Sequence, residues 1–348
     1  MNTMTAMVLS DFGPPENLEA ATVERPAPAS DQVLVCVRAC GVCGHDLLAR
    51  QGKLGTRLPM ILGHEIAGVV AEVGDEVRSL TLGQRVALVQ RIPCGGCAQC
   101  LAGVTNLCRS GPGFYGDDLP GGYAEYVVAS EHNVVPLPET IDFTTGAVLS
   151  CGVGTGLRAL RAAELSPGDT VVVTGAGGGV GLHTVKVAAA LGYRVLAVSG
   201  SPHKYAAILA AGAERVVAPS SRFAARDAVR ESFGVRGAAA AIEITGMPTF
   251  DMSLAALAGG GRLVLVGNTD PAPLTTNPGI WIVRELKLVG SAHATRADLA
   301  EVVDLVDSGR VSVEVATVRE LREAAEVHQA LERREIAGRA VLKIQGIR

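Results

Sequence analysis

The run Thr170-Val-Val-Val-Thr-Gly-Ala-Gly-Gly-Gly-Val-Gly181 limits what this chain can fold into more than any other stretch. Its first half is a short apolar strand without a polar face, and such strands belong in parallel sheets covered by helices on both sides. Its second half crowds glycines into a tight turn and opens a helix, read as 180–191 and stopped by Gly192. The alternation then continues. A strand at 194–198 leads to a helix near 204–211 that Gly212 stops, and apolar strands follow at 216–217, 239–242, 263–266 and 287–289. Fully apolar strands alternating with helices indicate an α/β doubly wound parallel sheet. From about residue 297 the pattern reads helix, strand, helix, strand, ending at 339–344.

The first third differs. Short β-rich runs at 33–37, 67–73, 85–88 and 124–128 are punctuated by Gly74-Asp75, Leu82-Gly83 and Gly121-Gly122, the spacing of a small barrel or sandwich. A chain of 348 residues has room for two such domains, each with its own core. A net charge of -4 gives no electrostatic case for nucleic acid or an anionic membrane. The strongest apolar stretch, 171–198, is broken by the glycines, His183, Lys186 and Arg194, so it is not a membrane span. The N-terminus lacks a basic stretch leading into an apolar run with a cleavage site, and a cytoplasmic protein is expected.

Eight cysteines occur in the chain. Without a secretory signal, metal or catalytic roles are expected for them over disulfides. Cys94, Cys97, Cys100 and Cys108 form a C-x2-C-x2-C-x7-C cluster. Four soft ligands in one loop can close a tetrahedron around Zn²⁺ at little chain-closure cost, and four thiolates leave no position for substrate. A structural zinc is expected, with an iron–sulfur cluster as the rival. The Cys40-x-x-Cys43 pair reads as an accident of spacing, with Cys36 and Cys40 as packing residues of a strand.

The glycine turn has the strand–turn–helix context that a dinucleotide fingerprint needs. Counting G-x-G-x-x-G from Gly175 puts Val180 in the last place, whereas counting from Ala176 gives A-x-G-x-x-G with Gly178 and Gly181. Gly178 would let backbone approach a pyrophosphate and Gly181 would let helix and strand pack closely. An NAD-binding carboxylate is missing about 20 residues onward. That place holds Ser199, Ser201 and Lys204, which suit a 2′-phosphate, so NADP(H) is expected over NAD(H).

With these motifs joined by Gly63-His64-Glu65, Gly74-Asp-Glu-Val77 and Gly121-Gly-Tyr-Ala-Glu125, the chain resembles the zinc-containing medium-chain alcohol dehydrogenase family over nearly its full length. The resemblance implies a discontinuous GroES-like catalytic domain, residues 1–151 and 288–348, interrupted by a Rossmann domain at 152–287. It implies a catalytic zinc on Cys43, His64 and Cys151, beside the structural one, so two zinc ions per chain. Two thiolates and one imidazole leave a fourth position for substrate oxygen. Glu65 matches the family's acid behind the metal, Asp46 the residue that orients the histidine ligand, Thr155 a neighbour of the nicotinamide, and Arg339 the arginine that reaches the pyrophosphate. One place departs from the pattern: the Ser or Thr that starts the family's proton relay is His45, an imidazole that can still pass a proton near neutral pH.

The expected activity is hydride transfer between NAD(P)H and a small alcohol or carbonyl substrate, in a homodimer or homotetramer. Two rivals stand beside it. One is reduction of the C=C bond of an enoyl thioester or enone on the same scaffold. The other is a zinc-stabilised binding protein that has lost catalysis.

Overall fold

The computed structural model describes residues 2–269 and 273–345. The chain divides into two compact units: one takes in residues up to Gly154, His293–Gly309 and the chain from Val313, and the other takes in Thr155–Ala292 and Arg310–Ser312.

The first unit is β-rich. Its main sheet is built around the strand Gln32–Val42, whose residues are buried along almost its whole length. Glu65–Val73 lies antiparallel on one side of it, in a register that sets Gly41 opposite Glu65. Arg339–Lys343 lies on the other side, with Ala340 opposite Val42. This pairing brings residues from near positions 40, 65 and 339 to one end of the sheet, although they are far apart in sequence. Val33, Val35, Val37, Ile66, Val70, Leu88, Tyr115 and Tyr123 belong to the core of this unit. Burying each of the larger side chains contributes roughly 1.5–3 kcal/mol. Thr3–Leu9 lies between Leu18–Glu24 and Met60–Ile61 in a three-stranded sheet, and Arg91–Ile92 pairs with Gly113–Phe114.

A buried polar chain ties the helix Ala324–Glu332 to the helix Gly44–Arg50. Arg50 Nε donates to His328 Nδ1 at 3.3 Å, and His328 Nε2 lies 3.2 Å from the Tyr123 hydroxyl. Arg50 also reaches the Gly13 carbonyl and Glu332. A nitrogen that accepts from a guanidinium cannot hold a proton, so His328 must be neutral with its hydrogen on Nε2. Burial first, and then the Arg50 charge, bring its pKa down to about 4. The unfolded chain binds this proton below about pH 6.5 and the folded chain does not, so stability falls as pH drops from about 6.5 toward 4. His328→Gln is expected to remove that part of the acid slope, about 3 kcal/mol at most, in urea unfolding measured against the wild type at each pH.

The second unit is a twisted parallel sheet. Its strands run in the order Arg215–Val217, Arg194–Val198, Thr170–Val173, Ala238–Glu243, Leu257–Leu265, Lys287–Gly290, the 3-2-1-4-5-6 order of a Rossmann sheet. Thr170–Val173 is central and buried throughout, as its unbroken apolar character requires. The helix Gly179–Ala190 follows the turn, and helices Ala224–Phe233 and Met247–Ala256 pack against one another. The last two helices escaped the sequence reading because their apolar positions are mixed with Arg, Ser and Thr.

Candidate metal centres, active site and cofactor turn

Cys43 follows the long strand Gln32–Val42 and is the N-cap of the helix Gly44–Arg50. Its Sγ accepts from the His45 backbone N–H at 3.3 Å, and its own N–H donates to Asp46 Oδ2 at 2.8 Å. A cysteine thus starts the helix in place of the usual hydroxyl, and Asp46 completes a reciprocal cap. The second Asp46 oxygen lies 3.3 Å from His64 Nδ1. One carboxylate therefore caps the helix start and places its second oxygen as a counter-charge beside the His64 ring, whose Nε2 faces Cys43 Sγ at 3.2 Å. Cys151 arrives from a different place, a fully buried π-helical turn at Leu149–Gly154, a local geometry that recurs at functional sites.

The ligand atoms of Cys43, His64, Glu65 and Cys151 all lie within 4.8 Å of one another, and all four residues are buried. Electrostatics sharpen the picture. A hydrogen bond from Cys151, aided by His64 and opposed by burial, pulls the Cys43 thiol well below its ordinary pKa. The same bond and burial push Cys151 well above its own. Burial opposes charge on His64, yet Cys43 and Asp46 outweigh it and raise its pKa well above normal. A buried pair of thiols sharing negative charge beside an imidazole is a donor set made for a thiophilic cation. Burial raises Glu65 to about 7 against the pull of Arg339. Gly41 is required here, since a Cβ on it would come within 2.1 Å of the Glu65 carboxylate.

Arg339, expected at a pyrophosphate, is placed by its strand register against this group. Its Nη2 lies 3.0 Å from Glu65 Oε1 and 3.8 Å from Cys151 Sγ, with the residue 3% exposed. Asp46→Asn keeps the size of the side chain but must turn an N–H₂ toward either the Cys43 N–H or His64. It is expected to weaken zinc at the Cys43 site about 10- to 100-fold in chelator competition, with the four-cysteine site unchanged as the internal control.

Cys94, Cys97, Cys100 and Cys108 form the second group. Sulfur separations of 3.5 Å (Cys97–Cys100), 3.8 Å (Cys97–Cys108) and 3.9 Å (Cys94–Cys100) exclude disulfides. They match the edge of roughly 3.8 Å that a tetrahedron with Zn–S bonds of about 2.3 Å would have. Backbone amides aimed at the sulfurs favour thiolate: the Cys94 N–H donates to Cys108 Sγ at 3.3 Å. Burial raises the Cys108 thiol, and such amide bonds with those from the other cysteines overcome this and bring it to about 6. The Cys40-x-x-Cys43 pair is split, as its sequence reading expects: Cys40 is a buried strand residue whose Sγ points to the Gly41 carbonyl at 3.6 Å.

His45 stands beside the first group, with its ring 5.0 Å from that of His64. Its Nε2 lies 2.7 Å from Asp117 Oδ2, and the Thr56 hydroxyl donates to Asp117 Oδ1 at 2.7 Å. Phe114 touches His45, His64 and His293, with centroids 5.0, 5.2 and 4.8 Å apart. His293 has a left-handed backbone, φ 51°, a strained conformation of the kind that gathers at functional sites. Sequence reasoning missed Thr56, Asp117, Phe114 and His293. No local spacing marks them, since Asp117 meets His45 from 72 residues away.

In the second unit, Gly175 turns at φ 59°. Gly178 is the N-cap of the helix Gly179–Ala190, and Val180 lies in its first turn. The Ala176 N–H donates to the Val198 carbonyl at 3.1 Å, and a Cβ on Gly181 would sit 2.2 Å from the Gly175 carbonyl oxygen. Gly177 has no room for a side chain because the Lys204 stem lies against it. Lys204 and Ser199 are buried, and the Ser201 N–H donates to Ser199 Oγ at 3.2 Å. Thr155 begins the helix Thr155–Ala162, and its buried hydroxyl has no hydrogen-bond partner among the described residues. The close-packed turn, free helix start and orphaned hydroxyl fit a dinucleotide.

A family model described as "Alcohol dehydrogenase GroES-like domain" matches residues 29–139, and one described as "Zinc-binding dehydrogenase" matches residues 179–308. An acryloyl-coenzyme A reductase of Metallosphaera sedula is 35% identical over 341 residues, covering 97% of this chain and 99% of the relative. An NAD-dependent alcohol dehydrogenase of Sulfurisphaera tokodaii is 34% identical over 97% of this chain and 99% of its own. Among solved structures, AibC is 41% identical with a TM-score of 0.92, covering 99% of this chain and 96% of that one. A cobalt- and zinc-bound thermostable alcohol dehydrogenase from Pyrobaculum aerophilum is 31% identical with a TM-score of 0.89, covering 98% and 99%.

Proposed function

This chain belongs to the zinc-binding alcohol dehydrogenase family of medium-chain oxidoreductases, and from that premise we propose that it transfers hydride between a nicotinamide and the carbonyl carbon of a small alcohol–carbonyl pair. The observation that carries this reading is the buried set of Cys43, His64 and Cys151, with Glu65 engaged by Arg339. Such a set holds one zinc and leaves a fourth position for substrate oxygen. Zinc bound there supplies a Lewis acid for that oxygen, and the nicotinamide supplies or accepts the hydride. A second, structural zinc is assigned to Cys94, Cys97, Cys100 and Cys108.

The chain's own side chains do the rest. Asp46 supplies a negative charge 3.3 Å from His64 Nδ1, and Nε2 faces Cys43. Arg339 balances the charge of Glu65 in the protein interior. His45, in the relay place, presents an imidazole that exchanges a proton with the substrate oxygen, where the family has a hydroxyl. Thr155 and the turn from Gly175 through Gly181 hold the cofactor.

A second reading, reduction of the C=C bond of an enoyl thioester or enone, is favoured by the 35% identity over almost the whole chain to a protein named acryloyl-coenzyme A reductase. Oxidation of an alcohol panel, set against NADPH consumption with enones and enoyl-CoA, separates the two. Turnover of the unsaturated compounds alone would remove the carbonyl reading.

For the cofactor we assign NADP(H), supported by the missing carboxylate after the strand Arg194–Val198 and by Ser199, Ser201 and the buried Lys204 in its place. Lys204→Ala is expected to raise KM for NADPH about 10-fold or more and to leave KM for NADH nearly unchanged, since a charge-assisted bond contributes roughly 1.5–3 kcal/mol. We also assign a homo-oligomer, dimer or tetramer. It is supported by Ile282 and Val283, 74% and 84% exposed, beside the edge strand Lys287–Gly290. Light scattering that gives the monomer mass would remove this assignment. No helix of the described residues is long and apolar enough to cross a membrane. The eight free cysteines suit a cytoplasmic location.

A further inference from the structure

A histidine that works in catalysis needs one ring nitrogen committed to a partner, because that partner decides where the other nitrogen's proton sits. Around His45 three segments supply such a partner. Asp117 Oδ2 lies 2.7 Å from His45 Nε2, and Thr56 Oγ1 donates to Asp117 Oδ1 at 2.7 Å. The carboxylate therefore has each oxygen fixed by a different residue. Its backbone is fixed as well. The Phe114 carbonyl accepts from the Asp117, Asp118 and Leu119 amides at 3.3, 3.0 and 3.1 Å, and the Asp117 carbonyl accepts from the Arg57 amide at 3.2 Å. Thr56 and Arg57 thus grip the side chain and the main chain of one residue. The Phe114 ring, from the same turn, lies against the His45 ring and limits its rotation. The arrangement sits beside the zinc ligands and includes none of them.

We propose that Asp117, braced by Thr56, is the positioning residue that fixes the ring and tautomer of His45. An ionised carboxylate only accepts, so neutral His45 must carry its hydrogen on Nε2 and leave Nδ1 without one. In the direction of alcohol oxidation, Nδ1 takes the hydroxyl proton and the electron pair of that O–H bond stays on oxygen. In reduction the same nitrogen returns it. Burial works against charge on the Asp117 carboxyl, yet hydrogen bonds from His45 and Thr56 and the His45 charge hold it below its ordinary pKa, which keeps it an acceptor. The role of Nδ1 rests on the oxidoreductase reading above, whereas the tautomer does not.

The substitution Asp117→Asn tests this at nearly constant shape. Thr56 donates to the Oδ1 position and so favours the amide oxygen there, which turns the amide N–H₂ toward His45 Nε2. That forces the hydrogen to Nδ1. Long-range ¹H–¹⁵N NMR of the zinc-loaded protein is expected to show the Nε2–H form in the wild type and the Nδ1–H form in Asp117→Asn. Turnover should fall about 100-fold or more at nearly unchanged KM, the signature of a lost proton-transfer step. Thr56→Val should give a smaller loss, and Thr56→Ser, which keeps the hydroxyl, should recover most of it. An unchanged tautomer in Asp117→Asn, or wild-type turnover with the tautomer switched, overturns the proposal. A wild type that turns over no carbonyl or enoyl compound defeats the functional reading instead, and the NMR signal still decides the role of Asp117.

Discussion

His64→Ala is expected to lower the zinc content from about two ions per chain to about one, and to cut turnover at least about 1,000-fold. The factor follows from the chemistry. Polarisation of the substrate oxygen contributes several kcal/mol to the barrier, and each 1.36 kcal/mol is a tenfold change in rate. His64 brings the neutral nitrogen of the set, with Nε2 3.2 Å from Cys43 Sγ and Nδ1 held by Asp46. Alanine leaves two thiols and the paired Glu65, a poorer cage in which Asp46 has no ring left to orient. The four-cysteine site shares no ligand with the first group, so its zinc should stay, and elemental analysis reads both sites at once. If the variant kept two zinc ions and normal turnover, the catalytic assignment of Cys43, His64 and Cys151 would be lost.

Glu243→Ala should damage the second unit without touching either metal group. Glu243 ends the strand Ala238–Glu243 with no exposed surface. Its Oε1 accepts from Thr174 Oγ1 (2.7 Å), the Thr245 and Gly246 amides (2.9 Å each) and Thr249 Oγ1 (2.7 Å), while Ser253 Oγ donates to Oε2 at 2.5 Å. Removing the acceptor strips a partner from five donors at the junction of two strands and a helix, and among the described residues only Thr174 Oγ1 keeps a second acceptor, the Ile242 carbonyl at 3.4 Å. The expected cost is about 3–5 kcal/mol, or on the order of 10 °C in the midpoint of thermal unfolding. Glu243→Gln can keep its oxygen at the Oε1 place and turn its N–H₂ to Ser253, so a loss of only about 1–2 kcal/mol is expected. The same knot seats the glycine turn, since Thr174 is bonded to Glu243 and Gly175 follows it directly. Weaker binding of NADPH should therefore accompany the lower stability of Glu243→Ala, and calorimetry at a temperature where the variant is folded measures it.

Neither Asp117 nor Glu243 could have been picked from the sequence, whereas the four clustered cysteines could, and Cys43, His64 and Cys151 follow from the family resemblance. The difference is physical. Metal chemistry needs rare residue types, and four cysteines within 15 positions have few other uses. A glycine turn between an apolar strand and a helix is likewise bound to one local geometry, and it appears as Gly175 through Gly181 with the close contacts expected of it. Carboxylates are common, and their role depends on which donors the fold brings to them. The same holds for Arg339, whose neighbours follow from its strand lying in register beside Gln32–Val42.

The sequence by itself determined the plan of two units, one β-rich and one a parallel sheet of the Rossmann kind, and marked the four-cysteine cluster. Those features rest on local spacing and on periodicity, which the chain carries along its length, whereas Cys43, His64 and Cys151 follow as ligands only from the family resemblance. Only the tertiary structure decided what surrounds the ligands. It put Asp46 behind His64, Arg339 against Glu65, and Asp117 with Thr56 behind His45. Those partners come from strand pairing and turn closure across 18 to 274 residues, a distance over which no sequence period survives.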